Sequence, residues 1–373
     1  MKNFLKIILF ILILDLLISI IFLKNTTFWK NDNWEDKYWR IESNIYHHDL
    51  LPNIDVVEKW GVGLQKRLLT NSLGFRDFSN KKIQKIPNKK RILLIGDSFI
   101  EGAGYDYEYT IGGLLSKKLG NEYEILNSAV SSYSPSIYYA KINYLISEGY
   151  KFDQALVFLD VSDIFDELFI KHDELGNIIT EKKAKNRSKI KTILYSIGHF
   201  LRDNTMSFRI MYYASDRTKI YKNFLKSKYK ASKLYNKNFF QIKTDDVMFY
   251  RMTHVDRGYW TFNKEKFEEV KKGLTQSEKY LKKLFSLFEE KSIQSHLIIY
   301  PWPTQIEFGD TKHINYWTRF AEKNEISFIN FYDEFSSTNS KDFIFENFIY
   351  GDIHWSKKGT NLIFNALSKK INF

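Results

Sequence analysis

Two short segments far apart in the chain carry residue types that could act on one another. Gly96-Asp97-Ser98-Phe99 follows the apolar run 91–95, and Gly351-Asp352-Ile353-His354-Trp355 lies just before the last helical pattern. A serine hydroxyl is inert until a base takes its proton. A histidine two positions after an aspartate, in extended backbone, places both side chains on one side. The carboxylate can then fix the imidazole tautomer and stabilise the imidazolium that forms during proton transfer. Gly-Asp-Ser alone is also compatible with a structural turn, and a lone loop histidine with packing. Together they read as Ser98 nucleophile, His354 base and Asp352 orienter.

These residues resemble the first and last blocks of the SGNH, or GDSL, hydrolase superfamily, the last block in its Asp-x-His form. The resemblance covers roughly 83–373. It implies a Ser-His-Asp esterase or acyltransferase without cofactor or metal, and oxyanion donors in two middle blocks. Where the family has Asn-x-x-x-x-Gly, this chain has Asn127-Ser128-Ala129-Val130-Ser131-Ser132, so Ser132 takes the glycine position. Where the family has Asn-Asp, the chain has Ser162-Asp163. The expected donors are the Ser98 and Ser132 amides and the Ser162 hydroxyl. A hydroxyl reaches less far than a carboxamide, and losing one such donor costs about 2.7–4 kcal/mol. The acidic group Asp160, Asp163, Asp166 and Glu167 is expected to cap a helix rather than bind metal, and Asp97 to hold the serine turn. His254, Trp302, Gln305 and Trp355, in aromatic segments at strand ends or beside the histidine, are candidates for stacking on and hydrogen-bonding to a sugar.

Such residues need a sheet that delivers them to one edge. Short apolar runs at 91–95, 123–126, 155–160, 296–300 and 326–330 read as strands. Helical patterns at 109–119, 136–147, 264–291, 313–323 and 356–371 alternate with them. Alternation of this kind, with strands apolar on both faces, predicts a three-layer α/β/α fold around a parallel sheet, in which reactive groups collect where strands end and helices begin. The stretch 25–87 is polar and aromatic without a clear period.

The chain has 373 residues, 44% hydrophobic and 27% charged, which permits a large packed core. Cysteine is absent, which excludes disulfide scaffolds, thiolate metal sites and thiol nucleophiles. The net charge of +12 is concentrated: residues 181–240 hold 16 Lys/Arg and three acids, leaving 40 basic and 41 acidic residues elsewhere. This predicts a helical basic insertion over 170–260, either a solvated cap or a contact for anionic lipid or polymer. No nucleic-acid signature accompanies it. Residues 7–23 are apolar apart from Asp15 and Ser19 and are flanked by lysines. They read as an uncleaved signal anchor within 1–24, the alternative being a buried soluble helix. At roughly 25 Å the span is short for a bilayer. The anchor would leave 25–373 as a catalytic domain in the periplasm or outside the cell.

The expected function is removal of acyl groups, acetyl foremost, from a cell-surface or exported glycan through an acyl-serine intermediate. A polysaccharide O-acetyltransferase would share every step up to that intermediate. A non-catalytic glycan-binding or assembly protein on the same scaffold is the remaining alternative.

Overall fold

Ile92, Leu93, Leu94 and Ile95 have no polar face to offer water, and all four are buried. A strand buried on both faces must lie inside a sheet covered by helices. In the computed structural model this strand lies inside the sheet, paired on both edges. The structure describes residues 2–20, 39–60, 64–179, 197–198, 200–201, 204–310, 312–336, 339–371 and 373.

In chain order the main elements are α1 (Lys2–Ile18), β1 (Arg40–Ser43), β2 (His47–Leu50), β3 (Asp55–Trp60), β4 (Leu64–Leu69), β5 (Lys90–Ile95) and α2 (Ser98–Glu101). They continue with α3 (Ile111–Leu119), β6 (Tyr123–Asn127), α4 (Pro135–Ser147), β7 (Gln154–Leu159) and α5 (Met206–Leu234). The chain ends with α6 (Lys264–Glu290), β8 (Gln294–Ile299), α7 (Lys312–Lys323), β9 (Phe328–Asn330) and α8 (Lys357–Lys370).

The chain divides into two compact units. The larger, Glu35–Thr180 with Met248–Phe373, holds a five-stranded sheet in the order β6-β5-β7-β8-β9. Every pairing in it is parallel. The chain steps one way from β5 to β6 and the other way from β6 through β7 to β9. Right-handed crossovers therefore put α3 on one face and α4 and α6 on the other. Consistently, α4 packs on α6, and α3 on α8. The α/β fold with a parallel sheet agrees with expectation, and so does each strand to within two residues. The reversal of strand order between β5 and β7 puts the exits of these strands beside one crevice.

Two antiparallel hairpins, β1–β2 and β3–β4, occupy the stretch that had shown no period. The second hides charge as well as hydrocarbon, Leu68 being fully buried. Glu58 and Lys66 are each 1% exposed and form an ion pair at 2.9 Å. Glu101 of α2 joins them, taking Arg40 at 2.8 Å and Lys66 at 3.4 Å.

The smaller unit is Met1–Trp34 with Glu181–Val247, so the expected 170–260 insertion is divided, and 170–180 and 248–260 belong to the larger unit. The stretches 21–38 and 180–196, and with the first of them the expected end of the anchor, lie outside the described residues. A transmembrane helix was expected over 7–23. Instead α1 covers 17 residues and ends in a π turn at Ser19–Ile20. Among the described residues no helix is long and apolar enough to cross a membrane. The polar residues within the run have a local purpose. Asp15 accepts from the Met206 and Ser207 amides at 3.2 and 3.3 Å, and Ser19 Oγ accepts from Met206 at 2.9 Å. They cap α5, whose own N-cap residue Thr205 makes no side-chain cap bond.

Candidate active site

Strand β5 ends at Ile95, and the chain turns at Gly96 into α2. A side chain on Gly96 would put Cβ 2.8 Å from Ile100 Cγ1 and 3.3 Å from the Phe158 carbonyl, so this turn closes only with glycine. Asp97 caps α2 by accepting from the Phe99 amide at 3.0 Å. Ser98, the first residue of that helix, is partly exposed at the C-terminal edge of the sheet.

His354 arrives from the loop before α8. Its Nε2 lies 2.8 Å from Ser98 Oγ, across 256 positions of sequence. Its Nδ1 lies 2.5 Å from Asp352 Oδ1, which also accepts from the His354 amide at 3.0 Å. With Asp352 taking the Nδ1 proton, Nε2 is left free to accept from the serine. Gly351, at φ 78°, makes the turn that sets the aspartate under the ring. Burial works to raise the Asp352 carboxyl, but bonds from His354 and from the Trp60 indole outweigh it and hold it at about 2. The structure therefore joins Ser98, His354 and Asp352 in one hydrogen-bonded chain.

Trp60, at the end of β3, had no signal in the sequence. Its Nε1 donates to Asp352 Oδ2 at 3.2 Å, and its ring meets His354 edge-on at 5.0 Å between centroids. Phe99 packs on the other side of the imidazole at 4.6 Å.

The expected oxyanion donors fare unequally. Ser132 has φ 63°, the left-handed conformation that a glycine would take without strain. Ser162 is 2% exposed, its amide donates to Asp160 Oδ1 at 2.6 Å, and its side chain also bonds the Asp160 carboxyl. The hydroxyl expected to face an oxyanion is thus engaged by a buried acid. The backbone amides of Ser98 and Ser132 are the donors that remain.

Asp97, Asp160 and Asp163 are buried with ligand-type oxygens within 4.8 Å of one another, the one carboxylate group among the described residues that could hold a hard cation. Protein donors already serve it. Asp160 accepts from Trp302 Nε1 at 2.5 Å, and Asp163 from Tyr138 Oη at 2.7 Å and the Asp160 amide at 2.8 Å. Burial first, then the charge of a neighbouring aspartate (Asp160 for Asp97, Asp97 for Asp163), pushes both well above the ordinary carboxyl range. Ser98 Oγ is 3.1 Å from Asp97 Oδ2. Asp97 Oδ2 and His354 Nε2 are thus the two acceptors within reach of the serine proton. The expected cap role is not what the acids perform: the short helix Asp163–Asp166 has no side-chain cap bond at Ser162, and Asp160 and Asp163 instead bond the Ser162 and Asp160 amides just before it.

The four sugar-contact candidates separate. Trp302, Gln305 and Trp355 are 0%, 2% and 3% exposed, which makes them core. Gln305 is spent on the Trp302 amide, the Gly258 carbonyl and Thr261. Apolar rings at strand ends pack under the site because burying them is worth more than presenting them to solvent. His254 is partly exposed and stacks on Tyr250 at 4.5 Å. It belongs to an aromatic group with Phe262 and Phe308, which are 36% and 46% exposed. A small cleft beside His354 is lined by Tyr105, Tyr109 and Thr360 among others. Larger clefts, such as that around Lys89, Arg91 and Tyr123, lie at the strands' opposite ends.

No protein-family model matches the chain, and no curated protein matches it significantly. Among solved structures, TesA is 10% identical, with TM-score 0.39 over 75% of this chain and 97% of its own. A lipolytic protein of the G-D-S-L family from Desulfitobacterium hafniense DCB-2 is 12% identical, with TM-score 0.38 over 76% and 100%. Axe2, an acetylxylan esterase from Geobacillus stearothermophilus, is 11% identical, with TM-score 0.36 over 78% and 97%. Likenesses of this size carry no argument about activity. By its Gly96–Phe99 and Gly351–Trp355 blocks, their order and the chain of hydrogen bonds that joins them, this protein resembles the SGNH/GDSL hydrolases.

Proposed function

We propose that the protein is a serine esterase that removes short acyl groups, acetyl foremost, from a glycan. The observation that carries this reading is the Ser98–His354–Asp352 chain at 2.8 and 2.5 Å. Ser98 Oγ attacks the acyl carbonyl while its proton passes to His354 Nε2. The tetrahedral oxyanion is held by the Ser98 and Ser132 amides. His354 then gives the proton to the leaving sugar oxygen as the C–O bond breaks, leaving acyl-serine. Water, deprotonated by the same imidazole, releases the carboxylic acid and restores the serine. The small cleft beside His354 supports a short acyl group. The exposed rings around His254 support a carbohydrate partner.

A fluorophosphonate probe tests the chemistry. Wild type should be labelled at Ser98 and Ser98→Ala should not, with hydrolysis of p-nitrophenyl acetate falling at least ~10³-fold. Full activity in Ser98→Ala would sink the reading. Acetate released from an acetylated glycan, with no acetyl transferred to an added acceptor, separates hydrolysis from transfer.

We place the smaller unit at a lipid surface, with the larger unit outside the cytoplasm. Support comes from α1, where Ile7, Leu9, Phe10, Ile11, Leu14 and Leu17 are 46–66% exposed, and from the basic helix α5 of the same unit. Protease protection in intact and lysed cells tests the compartment. Cleavage of the larger unit only after lysis of the whole cell envelope would overturn that placement.

A further inference from the structure

The peptide that links Ser131 to Ser132 is gripped from outside the triad. The Ser131 amide and hydroxyl donate to Glu101 Oε2 at 2.8 and 2.9 Å. The Ser131 carbonyl lies 2.8 Å from His48 Nε2, on the β1–β2 hairpin. A carbonyl has no proton to give, so Nε2 must carry the hydrogen. Nδ1 is then an acceptor, facing His47 Nδ1 at 2.8 Å. In a trans peptide the C=O and the following N–H point in opposite directions. Fixing the Ser131 oxygen therefore fixes the direction of the Ser132 N–H. Ser132 sits at φ 63°, the left-handed region, where a residue with a side chain is strained and persists only under outside constraint.

The hairpin is itself fastened to this loop. Tyr133 Oη donates to the His48 carbonyl at 2.7 Å, and its ring meets the imidazole at 4.9 Å. Lys141, buried, donates to Asp49 at 2.8 Å and to the Ser128 carbonyl at 3.0 Å. Burial, with His47 and Lys141 opposing a second charge, drives His48 down to about 4, although Ser131 and Asp49 favour the cation. The ring stays neutral and keeps its single Nε2 proton for the carbonyl.

We propose that His48 is a positioning residue for the ester chemistry, clamping the Ser131–Ser132 peptide so that the Ser132 N–H faces the developing oxyanion. The inference rests on the esterase reading above. Bonding at the carbonyl also polarises the peptide and strengthens its N–H as a donor. The clamp acts on the transition state and not on the bound ester, so its loss should appear in kcat.

The test uses the full chain, p-nitrophenyl acetate and the fluorophosphonate probe. His48→Gln carries an N–H at the reach of Nε2, whereas His48→Asn carries one at the reach of Nδ1, too short for Ser131. The Asn and Ala variants should lose about 10- to 100-fold in kcat, with KM within about twofold, and phosphonylation should slow in parallel. The Gln variant should keep most of the wild-type rate. Equal rates in Gln and Asn variants, whether both active or both inactive, would overturn the clamp, as would a loss confined to KM. If wild type labels at Ser98 and His48→Asn labels as fast, only the clamp fails. If wild type does not label at all, the esterase reading fails and takes the clamp with it.

Discussion

At the scale of single residues, the aspartate shows how much of a triad lies outside its motif. Asp352 Oδ1 is shared by the His354 ring and amide, while Oδ2 accepts from the Trp60 indole. Replacing Trp60 by Phe keeps the ring beside the imidazole but removes the N–H. A hydrogen bond to a charged group is worth roughly 1.5–3 kcal/mol. Steady-state kinetics on Trp60→Phe should therefore show kcat lowered about 10-fold or more with KM little changed. Unchanged kcat would mean that Asp352 is held by His354 alone. Because Asp352 is held at about 2, below the ordinary 3.8, its stabilising contribution is complete above the ordinary value and is lost as pH falls through 2. The serine, histidine and aspartate were legible because each sits in a motif whose chemistry demands that residue type. Trp60 was not, since its partner lies 292 positions away and nothing local marks it.

At the scale of elements, hydrophobic period decided what could be read. Strands β5 and β7 were visible because they are buried on both faces and read as nearly continuous apolar runs, and β6, β8 and β9 by their shorter apolar stretches. The hairpin β3–β4 was invisible because Glu58 and Lys66 are buried alongside Leu68, so apolar residues alone do not mark its buried face. The N-terminal helix was visible, but its polar residues were counted as a cost in lipid when they cap another helix. Helix α4 offers a test of buried charge. Glu167 is 2% exposed, and its Oε2 accepts from the Ser136 amide in the first turn of α4 at 3.0 Å. Burial raises it to about 7. A carboxyl raised on folding leaves stability intact below its ordinary 4.5 and erodes it as pH climbs through 7. Glu167→Gln keeps the acceptor and cannot ionise. Denaturation measured between pH 4.5 and 8.5 should show the wild type losing stability relative to the variant, by at most about 3 kcal/mol at the upper end. Asp97, Asp163 and Asp310 are raised too. Their slopes are common to both proteins, so the difference isolates Glu167. A difference that does not change with pH would show that Glu167 is ionised throughout.

At the scale of the whole molecule, charge and chemistry are segregated. The triad, Ser132, His48 and Trp60 all belong to the unit formed by Glu35–Thr180 and Met248–Phe373. That unit also supplies the hydrophobic core, from Trp39 to Ile371. The other unit holds α1, α5 and nearly all of the excess positive charge. If the larger unit folds on its own core, the smaller one is dispensable for ester chemistry and needed only for location. Joining 35–180 to 248–373 through a Gly/Ser linker of about 20 residues, with a span of roughly 25 Å, separates these roles. The shortened protein should be labelled by fluorophosphonate at Ser98 within about threefold of the full chain's rate. The full chain should float with anionic vesicles, less so in high salt, which screens the basic helix while leaving apolar contact in place. The shortened protein should stay at the bottom of the gradient. Loss of labelling in a folded shortened protein would make the smaller unit part of the catalytic apparatus. Flotation of the shortened protein would move the lipid contact to the larger unit.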